Sequence, residues 1–113
     1  MSVQGGLQTS ATTQSIEESI QIILRTRLGE RVYRPDFGCR LSELTFAPMN
    51  LETLLLIRIY VEEALHLWEP RIVLDSVRTD ADPMRGRVDI LIEYHPKDSY
   101  DRRSLIHPFY LQS

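Results

Sequence analysis

The chain has 113 residues, 42% of them hydrophobic and 26% charged, enough for one modest core and no second domain. Thirteen basic against sixteen acidic side chains leave a formal charge of −3, which excludes a protein whose main work is neutralising nucleic-acid phosphates. Twelve of the thirteen basic residues are Arg, Lys97 being the exception. That bias comes either from codon usage or from surfaces that grip carboxylates and carbonyls with planar guanidinium forks. The single Cys39 allows no internal disulfide and no paired-cysteine zinc motif. Residues 1–13 lack the basic start and apolar stretch of a signal peptide. The longest nearly apolar run, 54–61, is interrupted by Arg58 and is too short for a bilayer. These features lead to the expectation of a cytoplasm-assembled protein with no membrane insertion.

In chain order, residues 1–14 carry Gly5, Gly6 and several Ser, Thr and Gln, and read as a flexible arm. Residues 15–113 form one domain. Ser15 and Glu18 have the spacing of a capping box, and Ile16, Ile20, Ile23 and Leu24 follow at helical spacing, with Gly29 as a stop. The pattern predicts a first helix over about 16–28. Residues 30–48 read as turns and extended chain, with a turn at Pro35-Asp36-Phe37-Gly38. Leu41, Leu44 and Phe46 mark one short helical turn. Asn50 is the expected N-cap of a second helix over about 51–68, which Pro70 ends.

On a helical wheel that second helix has two apolar faces. Leu54, Ile57, Val61, Ala64, Leu65 and Trp68 form the core stripe. Leu55, Leu56 and Ile59 lie opposite, where either the segment 41–46 or the N-terminal arm covers them, or a partner helix docks. The last third is β: 72–79 is rich in β-branched residues, and Val88, Ile90, Ile92 and Tyr94 alternate with Arg87, Asp89, Leu91 and Glu93. A loop over 80–86 joins these strands. A third strand over 104–111 contains Pro108, which places it at an edge. That edge is expected to expose Leu105, Phe109 and Tyr110 beside free backbone groups and to invite strand addition. The fold class that follows is α+β, two main helices on a small, mainly antiparallel three-stranded sheet with an open C-terminal edge.

Catalytic signals are weak. His66, His95 and His107 have no metal-ligand spacing and read as surface residues. No serine sits in a nucleophile elbow, Cys39 has no local partner, and no phosphate loop is present. Glu17, Glu18, Glu62 and Glu63 sit on helix faces where solvation accounts for them. The expectation is no enzyme, no cofactor and no metal. The alternative is a small peptidoglycan hydrolase, which needs two carboxylates facing each other across a cleft. The constellation that stands out is Glu69-Pro70-Arg71 at the junction of helix and strand. Proline ends the helix and Arg71 can engage its last carbonyls, while two charges fixed by a stiff bend can also make bidentate contacts with a partner.

Gly29-Glu30-Arg31, then Arg34-Pro35-Asp36-Phe37-Gly38, then a long helix closed by Glu69-Pro70-Arg71 and followed by strands, resembles the baseplate wedge family of contractile-tailed phages. That family includes relatives in type VI secretion and extracellular contractile injection systems. The resemblance covers 15–111. It implies a structural baseplate component, present in several copies around a symmetric baseplate, that joins the helical core bundle of the wedge to the first sheath ring. It also implies templating of the sheath by strand exchange, here through Leu105, Ile106, Phe109, Tyr110 and Leu111. Glu69, Pro70 and Arg71, with Leu55, Leu56 and Ile59, would then face the wedge core bundle. The implied neighbours are other wedge proteins, sheath subunits, and the inner tube or spike hub.

Overall fold

A computed structural model describes the backbone of residues 2–112 and the side chains of residues 14–112. Helix α1 spans Ser2–Arg25, a 3-10 helix spans Arg40–Leu44, and helix α2 spans Leu51–Trp68. Strands β1 (Ile72–Asp82), β2 (Arg87–Pro96) and β3 (Arg103–Tyr110) follow. The sheet is antiparallel with order β1-β2-β3, so the expected α+β architecture holds.

Both helices lie on one face of the sheet. Ile16, Ile20, Ile23 and Leu24 of α1 meet Ile57, Val61, Ala64 and Leu65 of α2, and all pack on Val77, Val88, Ile90, Ile92 and Tyr94. Strand β2 supplies the floor because its alternate residues Val88, Ile90, Ile92 and Tyr94 are almost wholly buried. The reading of α2 is met at both ends. The Asn50 side chain accepts a hydrogen bond from the Thr53 amide at 2.9 Å, and the chain leaves the helix at Glu69, before Pro70.

Helix α1 departs from expectation at both ends. It runs unbroken through Ser15 and Glu18, so these residues cap nothing. Glu18 accepts from the Gln14 amide one turn back, and the Ser15 hydroxyl accepts from Arg71. The arm expected over 1–14 falls, apart from Gln14, on residues whose side chains are outside the described ones. The helix stops at Arg25 instead of 28, because the Thr26 hydroxyl donates to the Ile22 carbonyl at 2.6 Å and the chain from Arg27 pairs with Cys39.

Strand β1 contains a feature no pattern announced. Its register against β2 slips between Leu74 and Ser76, so Asp75 is an extra residue. Without that bulge, Val77 would face solvent; with it, Val77 opposes Ile92 inside the core. The displaced Asp75 carboxylate lies 3.0 Å from His95 Nδ1. The hairpin is also longer than expected, the strands running to Asp82 and Arg87 around a turn at 83–86.

Candidate functional site

Three surfaces were expected to meet partners: the corner after α2, the second face of α2, and the outer edge of β3. At the corner, Pro70 stops α2 and turns the chain straight into β1. Arg71 Nε donates to Glu69 Oε1 at 2.8 Å and its Nη2 donates to Oε2 at 3.0 Å, a bidentate pair across the proline. A third nitrogen, Nη1, donates to Ser15 of α1 at 3.4 Å. The Glu69 side chain is 2% exposed, that of Arg71 46%. Burial pushes the Glu69 carboxyl up, but hydrogen bonds from Arg71 and Ser19 and the nearby guanidinium charge outweigh it and hold the group below its ordinary value. The expected capping of helix carbonyls by Arg71 is therefore replaced by a clasp. It ties α1, the end of α2 and the start of β1 together, and what the corner shows to solvent is Pro70 and the outer side of the guanidinium.

On α2, Leu55 and Ile59 are 53% and 44% exposed, and no described residue covers them. Leu56 does not share that face: it is half-buried and packs on the core. Leu51, four residues before Leu55, is 85% exposed and extends the stripe along one side of the helix. From the sequence this residue reads only as the start of the helix and is left off the second face.

The glycine-rich motifs form a loop whose ends meet, the Cys39 amide donating to the Thr26 carbonyl at 2.9 Å and the Gly29 amide to that of Pro35 at 2.7 Å. Guanidinium and aromatic planes stack on one another within the loop and on α2. The Arg31 guanidinium sits 4.5 Å over the Phe37 ring, Phe37 meets Trp68 edge-on at 5.1 Å, and Arg34 sits 5.0 Å over Trp68. Arg40 covers Tyr60 in the same way at 4.4 Å. Asp36 and Glu30 are exposed on the loop. The expected turn is present, with the Phe37 amide donating to the Arg34 carbonyl and Pro35 between them.

At the far side of the sheet β3 pairs with β2 alone. The expected orientation of its side chains is half corrected. Leu105 and Phe109 turn inward and pack on the core, and Leu111 is 8% exposed. Ile106 and Tyr110 are the apolar residues that face out, both more than half exposed. The inward set also contains His107, which is buried and donates from Nδ1 to Gln21 Oε1 at 2.8 Å. Burial, and then the Arg25 charge, push its pKa down. The expectation of three surface histidines thus fails for His107 and holds for His66, with His95 partly covered beside Asp75. Past β3 the chain is tied back, the Leu111 amide to the Gly86 carbonyl and the Gln112 amide to that of Thr45.

Sequence comparison decides which family carries this arrangement: the family described as baseplate wedge protein gp25 matches residues 10–99. The chain belongs to that family. Baseplate protein W of Escherichia phage P2 is 34% identical over 100 residues, covering 88% of this chain and 86% of that protein. Baseplate wedge protein gp25 of Enterobacteria phage T4 is 32% identical over 80 residues, 71% of this chain and 59% of the phage protein. Among solved structures, a Geobacter sulfurreducens protein provisionally described as a tail lysozyme is 48% identical with a TM-score of 0.84, covering 90% and 93% of the two chains. A chain of the postcontracted pyocin R2 baseplate is 33% identical with a TM-score of 0.66, covering 74% of this chain and 84% of that one.

The gp25-family motifs named from the sequence thus have visible work. Arg34 and Phe37 hold the loop to Trp68 of α2, Arg31 stacks on Phe37 within the loop, and Glu69 with Arg71 clasps α1. One buried polar atom beside that clasp is unsatisfied: the Tyr94 hydroxyl has no hydrogen-bond partner among the described residues. Glu17 and Arg103 lie near enough to act on it electrostatically without bonding to it. Tyr94→Phe is therefore expected to leave stability unchanged or raise it by up to about 1 kcal/mol, measured by urea unfolding.

Proposed function

We propose that this gp25-family chain is a non-enzymatic adaptor that joins the helical core bundle of the baseplate wedge to the first ring of sheath. The relatives are named as baseplate components, and two structural features suit the finer role. The exposed stripe Leu51, Leu55 and Ile59, with Pro70 and the outer face of Arg71, offers helices of the wedge bundle an apolar face and a rigid corner. The observation that carries the sheath half is the β3 edge, left open while the chain beyond it is bonded away to Gly86 and Thr45. An incoming sheath strand would pair with that edge and continue the sheet.

Deleting 105–113 is not a usable test, because Leu105, His107, Phe109 and Leu111 are part of the folded interior. Ile106→Lys with Tyr110→Lys is usable. Both side chains face out, and lysines along an edge oppose strand addition without touching the core. The variant is expected to fold, to enter baseplates, and to leave them without polymerised sheath in electron micrographs. Sheath of normal length on such baseplates rules the strand-addition role out.

The rival reading from the sequence, a small peptidoglycan hydrolase, is kept in play by the description of the Geobacter relative. A hydrolase of that class keeps one carboxylic acid protonated near neutral pH, its pKa raised by burial. Glu69 is the buried carboxylate among the described residues, and its partners hold it ionised. Soluble fragments released from purified cell wall by the protein, and lost on changing one carboxylate, would reverse this conclusion.

A further inference from the structure

The sheet ends one strand short of the helix that roofs it. Helix α1 and β3 run in the same sense: Glu17 acts on Tyr94, whose neighbour across the sheet is Arg103, at the start of β3. Four residues on, Gln21 bonds His107, and Arg25 borders the cavity that also holds His107 and Phe109. Beyond β3 the helix overhangs. Glu17, Glu18, Gln21, Ile22 and Arg25 line a groove of about 350 Å³ with Leu105 of β3 as the apolar wall opposite.

Ile22 is 43% exposed in the middle of this overhang, although Ile20, Ile23 and Leu24 beside it are buried. Glu18 bonds Gln14, and Arg25 bonds the Gln21 carbonyl of its own helix. Neither charge has an ion-pair partner among the described residues. A strand added to β3 lies about 4.8 Å farther out, beneath this row. Antiparallel addition continues the pattern of the whole sheet and is the more stable pairing. Glu18, Ile22 and Arg25 are spaced by about 6 and 4.5 Å along the helix axis, while inward side chains of a strand recur about every 6.6 Å. Long charged side chains at the two ends close that difference.

We propose that this groove selects the strand that adds to β3. The preferred segment runs antiparallel to β3 and carries an acidic, an apolar and a basic side chain at three successive inward positions, meeting Arg25, Ile22 and Glu18 in that order. This rests on the strand-addition reading above and adds to it the chemistry of the partner. Backbone pairing along the edge is indifferent to sequence, so the helix overhang is what discriminates.

The test fuses a seven-residue strand to the full chain after Ser113 through a flexible Gly/Ser linker of about ten residues, long enough to return along the edge. One strand alternates Glu, Ile and Lys between threonines; the other has the same composition with Glu and Lys exchanged. The first is expected to raise the thermal midpoint by about 5 °C and the second to raise it much less. In a Glu18→Lys, Arg25→Glu background, both positions being exposed, the preference should invert, and Ile22→Asp should abolish the gain from either strand. Equal stabilisation by both strands, unchanged in the charge-swapped background, overturns selection by the groove while leaving the edge an acceptor. No stabilisation by either strand overturns the acceptor edge itself.

Discussion

Gly38→Ala is expected to cost about 4 kcal/mol, the largest loss among the alanine substitutions of Gly29, Gly38 and Gly86. Two independent penalties meet at this position. Its φ is +128°, a conformation that side chains bearing a Cβ rarely adopt. A Cβ built there would also lie 2.5 Å from the carbonyl oxygen of Thr26, backbone that cannot swing aside. That oxygen accepts the Cys39 amide, the bond that closes the base of the motif loop. Relieving the clash therefore opens the loop, draws Phe37 off Trp68 and frees Arg34 from the same ring. Trp68 is the sole tryptophan, so its fluorescence reports the change directly, alongside the fall in thermal midpoint. Gly29→Ala is the internal control. Its φ of +84° is also positive but lies nearer the left-handed region that alanine can reach, and nothing lies within 4 Å of the added carbon. The expected cost there is about 1 kcal/mol, with Trp68 fluorescence unchanged. Similar losses at the two glycines would mean that strain alone, and not the close approach to Thr26, makes the loop need glycine.

The same loop shows where reading a sequence succeeds and where it stops. The turn around Pro35 and the cap at Asn50 were legible because each is decided within four residues, by a fixed φ or by a side chain reaching its own helix. The stacking of Arg34 was not, since Trp68 lies more than thirty residues away. The codon-or-surface question about arginine gains a structural answer. Arg31, Arg34 and Arg40 lie on rings, while Arg71, Arg78, Arg87 and Arg103 lie in ion pairs. The guanidinium plane is used within the chain at least as much as it is offered outward.

In β3 the pattern itself was ambiguous. Leu105, His107 and Phe109 alternate with Ile106, Pro108 and Tyr110, so both faces are apolar and the histidine argues for the wrong one. Gln21 resolves it by giving the buried His107 a half-buried partner from α1. The bulge at Asp75 is equally invisible, because one inserted residue leaves a β-branched run looking regular.

Arg71→Ala is expected to destabilise the isolated chain by about 2 kcal/mol at pH 7, and this loss should shrink as the pH falls. From sequence alone the substitution is expected to spare the monomer and to affect only wedge contacts. The structure changes that expectation, because Arg71 is what allows Glu69 to be ionised while 2% exposed. Removing one partner of a buried pair leaves an uncompensated charge, which costs about 3–5 kcal/mol when both groups are enclosed. The guanidinium here is nearly half exposed, and Ser19 still supports the carboxylate, so the expected loss falls below that range, at about 2 kcal/mol. In the native chain the Glu69 carboxyl lies below its ordinary value of 4.5. Its contribution is therefore fully present above that pH and is lost as the pH drops through the folded value. In the variant, burial without the guanidinium raises the carboxyl above 4.5, so the variant gains relative stability as the group takes up a proton. Unfolding curves at pH 7 and pH 4 should show the gap between the two proteins narrowing toward acid. Arg71→Lys keeps the charge but loses the two-pronged contact, and should fall between them. A gap independent of pH would mean that Arg71 acts through packing on Ser15 and the corner, with the Glu69 charge playing no part.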